Sequence, residues 1–277
     1  MLLTIQASGS KRPLFFVHGL HGVMTLGSTL ARALGPDQPI YAIHANGVDG
    51  QGPVINDLNE MVRSYVERIH ETRPTGPLVI GGMEAGCLGA IETARELRKR
   101  GRQVGPVILT NPPTAPGKRN VPEDPQAERQ LFERVQRALL GHASSVPSDV
   151  PFDARDQDRL HAATLAGVAS VMALARHVPA PFPGPAQVIL SAPAVVGFFH
   201  PTMPWHKLLS GPRMVHILPW PKSELLRSGR DHVARGIQFM LEEGPTLETV
   251  SESQEQDAPS IERYARTIEG IVAREMK

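Results

Sequence analysis

Pro77-Leu78-Val79-Ile80-Gly81-Gly82-Met83-Glu84-Ala85-Gly86-Cys87-Leu88-Gly89-Ala90 runs from an apolar strand signal, through two glycines framing a glutamate, into a helical pattern that continues to Lys99. A buried strand that enters Gly-x-Nuc-x-Gly and leaves as a helix is a nucleophile elbow, a sharp turn that lifts one side chain above the edge of a sheet. Gly82 and Gly86 frame Glu84, so the turn is complete but its apex carries a carboxylate where serine is usual. Cys87 lies one turn into the helix, where a small thiol reads as packing against the sheet.

Outward from this turn the chain repeats one rhythm. Short apolar runs at Leu14 to Val17, Ile40 to Ile43, Leu78 to Ile80, Val107 to Leu109, Val188 to Leu190 and Met214 to Leu218 read as buried strands. Helical patterns at Thr25 to Leu34, Ile55 to His70 and Ala85 to Lys99 alternate with the early ones, which predicts an α/β fold with a mainly parallel sheet covered on both faces. Between Pro112 and Gly184 the rhythm changes to helical stretches at Gln126 to Leu140 and Arg159 to Ala175. They read either as an inserted lid over the active edge or as extra packing helices. Residues 1–243 form the predicted domain, with the insertion at about 112–184. A polar linker follows at 244–259, then an amphipathic helix at 260–277 whose stripe of Ile261, Tyr264, Ile268 and Ile271 docks on its own domain or on a partner, a second copy included.

Composition narrows the classes. Lys plus Arg number 29 against 28 Asp plus Glu, a balance that argues against a dedicated nucleic-acid or membrane-surface binder. Hydrophobic residues at 41% supply a sizeable core and exclude disorder. One cysteine permits no internal disulfide and no zinc ribbon, and the apolar start Met1 to Ile5 is too short for a leader or a span. These features predict a cytoplasmic protein, and no motif calls for a cofactor or metal.

The segments Pro13 to Gly22, Leu30 to Tyr41, Pro77 to Ala90 and Ala94 to Leu97 together resemble the thioesterase domains of nonribosomal peptide and polyketide synthases. The resemblance covers roughly residues 12–243 and implies an α/β-hydrolase fold with a helical lid. In that family an elbow Ser, an Asp after the next strand and a His after the last strand cleave or cyclise an acyl thioester delivered on a carrier protein. Carried over residue by residue, the nucleophile falls on Glu84, the acid on Thr110 in Val107 to Pro112, and the histidine on Lys222 in Leu218 to Leu226. All three triad chemistries are replaced. The oxyanion-hole donors map to the N–H groups of Leu20 and Ala85, and a Glu84 carboxylate suits the start of a helix well enough to occupy that hole itself.

Two readings follow. One is a catalytically degenerate thioesterase-like protein that keeps an acyl or carrier-protein surface as a binding partner in biosynthesis. The other is an active hydrolase with a displaced constellation, using Glu84 or His232 of Gly229-Arg230-Asp231-His232-Val233, where a solvated histidine at a helix start is the plainer account. His18 and His21 read as polar loop residues, with a Glu84–His21 contact as the alternative. The opposite charges of Glu84 and Lys222, at positions that touch in the family, imply an ion pair.

Overall fold

The computed structural model describes residues 1–112, 122, 124–145, 149–191, 204–221, 224 and 228–242. The linker at 244–259, the segment at 260–277 and Lys222 lie outside the described residues. Seven strands form one sheet: β1 (Leu2–Gln6), β2 (Leu14–Val17), β3 (Ile40–Ile43), β4 (Val79–Met83), β5 (Val107–Thr110), β6 (Ala186–Ser191) and β7 (Arg213–Leu218), in the order β1-β3-β2-β4-β5-β6-β7. All neighbouring pairs are parallel except β1 with β3, which is antiparallel with Leu2 opposite Ile43. The apolar residues at the start thus form the edge strand of the sheet.

Alternate side chains along each strand feed two cores. Leu14, Phe16, Ile40, Ala42 and Ile108 face α1 (Gly27–Leu34) and, beyond β7, a helix at Arg230–Glu242 that contributes Val233 and Ile237. Phe15, Val17, Tyr41, Ile43 and Leu109 face α2 (Leu58–Thr72) and α3 (Gly86–Lys99). Period-two burial on both faces is the mark of a sheet between two helical layers. The predicted helices shift by a few residues at their starts, since Asp57 caps α2 through Glu60 N–H and the chain up to Leu26 is not yet helical.

The interruption at 112–184 contains α4 (Pro125–Ser145) and α5 (Gln157–Arg176). Asp156 caps α5 by accepting from the N–H groups of Asp158 and Arg159. These two helices pack on each other and add Leu131, Val135, Leu160 and Ala163 to the α2–α3 core. Helix α5 reaches the loop after β2 through Gly167, where a Cβ would stand 2.8 Å from the His21 carbonyl oxygen. Among the described residues the short α6 (Pro204–Leu208) precedes β7, and Arg230–Glu242, beyond it, is α7.

Strand order fixes where a ligand belongs. From β2 the chain steps to β3 on one side and then to β4 on the other, so β2 and β4 flank the point at which the winding reverses. In open α/β sheets the crevice outside the carboxyl ends of such strands is the usual binding place. Two loops border it, His18 to Val23 after β2 and the turn at Glu84 after β4.

Candidate active site

The elbow exists, and its backbone is strained at one residue. Glu84 has φ +48°, a left-handed conformation that costs an L-residue with a Cβ about 1 kcal/mol or more. Its N–H donates to the Thr110 carbonyl at 2.8 Å, and its own carbonyl accepts from Cys87 N–H at 3.1 Å. The framing glycines are there for clearance, with only Glu84 left-handed. A Cβ on Gly86 would stand 1.8 Å from the His18 carbonyl oxygen, and one on Gly82 would stand 2.5 Å from the Gly86 oxygen. The β2 loop, β4 and α3 are thus locked together by contacts that leave no room for a methyl group.

The Glu84 side chain is half-buried, and Oε2 lies 3.6 Å from the place a Cβ would take on Gly19. The carboxylate therefore leans across the loop that holds Leu20, one of the two inferred oxyanion donors. Among the described residues no backbone carbonyl accepts from Leu20 N–H or from Ala85 N–H.

His18 braces the loop from below. Its Nδ1 lies 2.7 Å from the Gly19 carbonyl, which can only accept, so Nδ1 carries the proton and Nε2 accepts from the Tyr65 hydroxyl at 2.7 Å. Full burial holds the imidazole neutral and lowers its pKa to about 4, and the same burial raises that of the Tyr65 hydroxyl. With both nitrogens engaged, His18 is a structural brace, as its reading as a plain loop residue had left out. His21 lies in the same loop, its ring 6.1 Å from that of His142 on α4. His142 is kept more acidic than a free imidazole, first by burial and then by the positive charge of Arg230.

The remaining candidates fall in different places. Thr110 is fully buried at the end of β5, in register with Met83 and Ile189, and its Oγ1 has no partner among the described residues. His232 is exposed on the first turn of α7, its ring 5.4 Å from that of Trp220. Cys87 is buried, with Sγ 3.4 Å from the Gly82 carbonyl, as a packing thiol should be. Among the described residues no group of three or more His, Cys, Asp or Glu side chains could hold a metal ion, and no helix is long and apolar enough to cross a membrane.

Two residues at this edge carry more than the sequence had assigned them. Asn111, the first residue past β5, is buried and left-handed at φ +49°, and its Oδ1 accepts from Ser191 Oγ at 3.3 Å at the end of β6. An Asn before a proline at a strand end is a turn signal that could have marked it, since Asn tolerates the left-handed region and the following Pro112 disfavours the right-handed one.

A family model for the thioesterase domain matches residues 12–166, more than half of the chain. The chain belongs to the thioesterase domain family. Malpinin synthetase from Mortierella alpina is 35% identical over 136 residues, which is 49% of this chain and 2% of that protein. Atromentin synthetase from Tapinella panuoides is 36% identical over 112 residues, 40% of this chain and 12% of that protein. The chain therefore spans only a small part of the length of these curated relatives. Among solved structures, the thioesterase domain from the nocardicin cluster matches with a TM-score of 0.63 and 18% identity, covering 87% of this chain and 98% of that one. A four-domain nonribosomal peptide synthetase bound to AMP and glycine matches with a TM-score of 0.67 and 23% identity, covering 85% of this chain and 20% of that one. At such identities the likeness is one of fold, and the fold is that of the α/β-hydrolases. The expected kinship with peptide-synthase thioesterase domains stands with it.

Proposed function

We propose that this thioesterase-family chain has given up hydrolysis and works as an acyl- or carrier-protein-binding partner in biosynthesis. The observation that carries this reading is Glu84, a carboxylate at the left-handed apex of an otherwise intact elbow. A carboxylate there can attack a thioester only to form an anhydride, and clearing that species needs a base to activate water. The family's histidine position reads Lys222, His18 is locked to Tyr65, and His232 is exposed on the first turn of α7. The alternative, an active hydrolase built on Glu84 or His232, gains no described contact between those two residues. Helices α4 and α5, reaching the β2 loop, serve in this reading as the lid.

The test is turnover. Purified protein given short and medium acyl thioesters should hydrolyse them no faster than buffer, since losing triad members leaves only a small residue of rate from binding and the oxyanion hole. Robust hydrolysis abolished by His232→Ala would replace this reading with the active one.

A further inference from the structure

The carboxyl ends of β4 and β5 share a feature found nowhere else among the described residues. Each runs straight into a left-handed residue that is not glycine, Glu84 at φ +48° and Asn111 at φ +49°. Strain of this kind persists where the surroundings over-determine it, and it clusters at sites of function. Met83 and Thr110 are paired in register, so Glu84 and Asn111 are equivalent first residues beyond their strands, side by side at the edge of the crevice.

Asn111 is also incompletely satisfied. Its residue is 1% exposed, and its Oδ1 is held by Ser191, yet Nδ2 has no partner among the described residues. A buried amide N–H without an acceptor has given up its hydrogen bond to water with nothing in return. Strain and desolvation thus coincide on one side chain that meets Ser191, an arrangement that stability alone does not favour.

We infer that Asn111, rather than Thr110, holds the station beside the elbow in this chain, and that its Nδ2 donates a hydrogen bond to a carbonyl or carboxylate oxygen of a bound acyl ligand. Thr110 lies inside the strand ladder, whereas Asn111 is the residue that follows the strand. An amide here is the shape of a carboxylate with the opposite polarity on one atom. A station that would accept from an imidazole becomes one that gives to an acceptor, which suits a site meant to hold an acyl group rather than cleave it. The inference rests on the proposed acyl-binding role.

Calorimetric titration of the full chain with the uncharged probe S-octanoyl-N-acetylcysteamine, at pH 8 and pH 5.5, tests it. Asn111→Asp keeps the shape but replaces the donor with an acceptor, so affinity should fall about tenfold or more at pH 8, the size of one lost hydrogen bond. It should recover toward pH 5.5, because burial raises a carboxyl pKa and the protonated form donates again. Wild-type affinity should change little over the same interval. A merely structural Asn111 would not create this pH dependence, and equal binding by wild type and Asn111→Asp at both pH values overturns the inference. Absence of probe binding in wild type overturns the acyl-binding reading and the inference together, whereas equal binding by the two proteins overturns the inference alone.

Discussion

The ends of β4 and β5 lie side by side and both close on a left-handed residue, but they are held in opposite ways. At the end of β4 the backbone is clamped by sterics, with Gly86 against the His18 carbonyl and Gly82 against Gly86. At the end of β5 the conformation rests on side-chain chemistry, an Asn tolerant of positive φ joined to Ser191. The first region keeps the geometry of an elbow whatever side chain stands at its apex, while the second depends on which side chain is there. The side chain at position 84 can therefore change without loss of the turn.

The comparison breaks most easily at the clamp. Gly86→Ala would drive a methyl into the His18 carbonyl, and since backbone rather than a flexible side chain blocks it, destabilisation above about 4 kcal/mol, or failure to fold, is expected in urea titration. A Gly86→Ala protein of near-normal stability would show that the β2 loop yields freely and that the clamp holds nothing.

Acid should separate the two ends next. The elbow's brace is an imidazole that stays neutral when folded, whereas Thr110, Asn111 and Ser191 do not titrate. Burial holds the folded His18 imidazole at a pKa of about 4, below its ordinary 6.5. Above pH 6.5 both states are neutral and it contributes nothing to pH dependence. Below that, the unfolded chain takes up a proton that the native one refuses, so stability falls with pH until about 4, by roughly 3 kcal/mol from this group. The buried His44, also held well below its ordinary value by desolvation, acts in the same direction. Denaturant midpoints between pH 7 and 4.5 should show the loss, and His18→Gln should flatten it; an unchanged slope in that variant would remove His18 from the account.

The smallest expected effect is at the apex itself. Glu84→Gly relieves the positive φ but loosens the unfolded chain, so a net gain of at most about 1 kcal/mol is expected. A loss larger than that would mean the carboxylate makes a stabilising contact, and a charge-neutral Glu84→Gln variant would show whether charge supplies it.

Much of this was legible in the chain. The alternating apolar runs and helical stripes set the α/β class because burial on both faces of a parallel sheet leaves strands uniformly apolar, as in Leu14 to Val17. Gly82-x-Glu84-x-Gly86 marked the elbow because only glycine fits where three backbones meet. Propensity hid β1, whose residues Leu2 to Gln6 are half-exposed and are ordered by pairing with β3 across the edge. It also hid the partnership of His18 with Tyr65, 47 residues apart.

The sequence by itself determined the covalent facts: a carboxylate between the two elbow glycines and no serine at that apex. Tertiary structure decided what those groups can do. It put Glu84 and Asn111 at neighbouring strand ends, turned His18 into a neutral brace, and left the buried Asn111 side-chain Nδ2 without a partner among the described residues. The reason is that residue type and local pattern are encoded within a few positions, whereas desolvation, strain and hydrogen-bond satisfaction depend on which distant strands and helices meet.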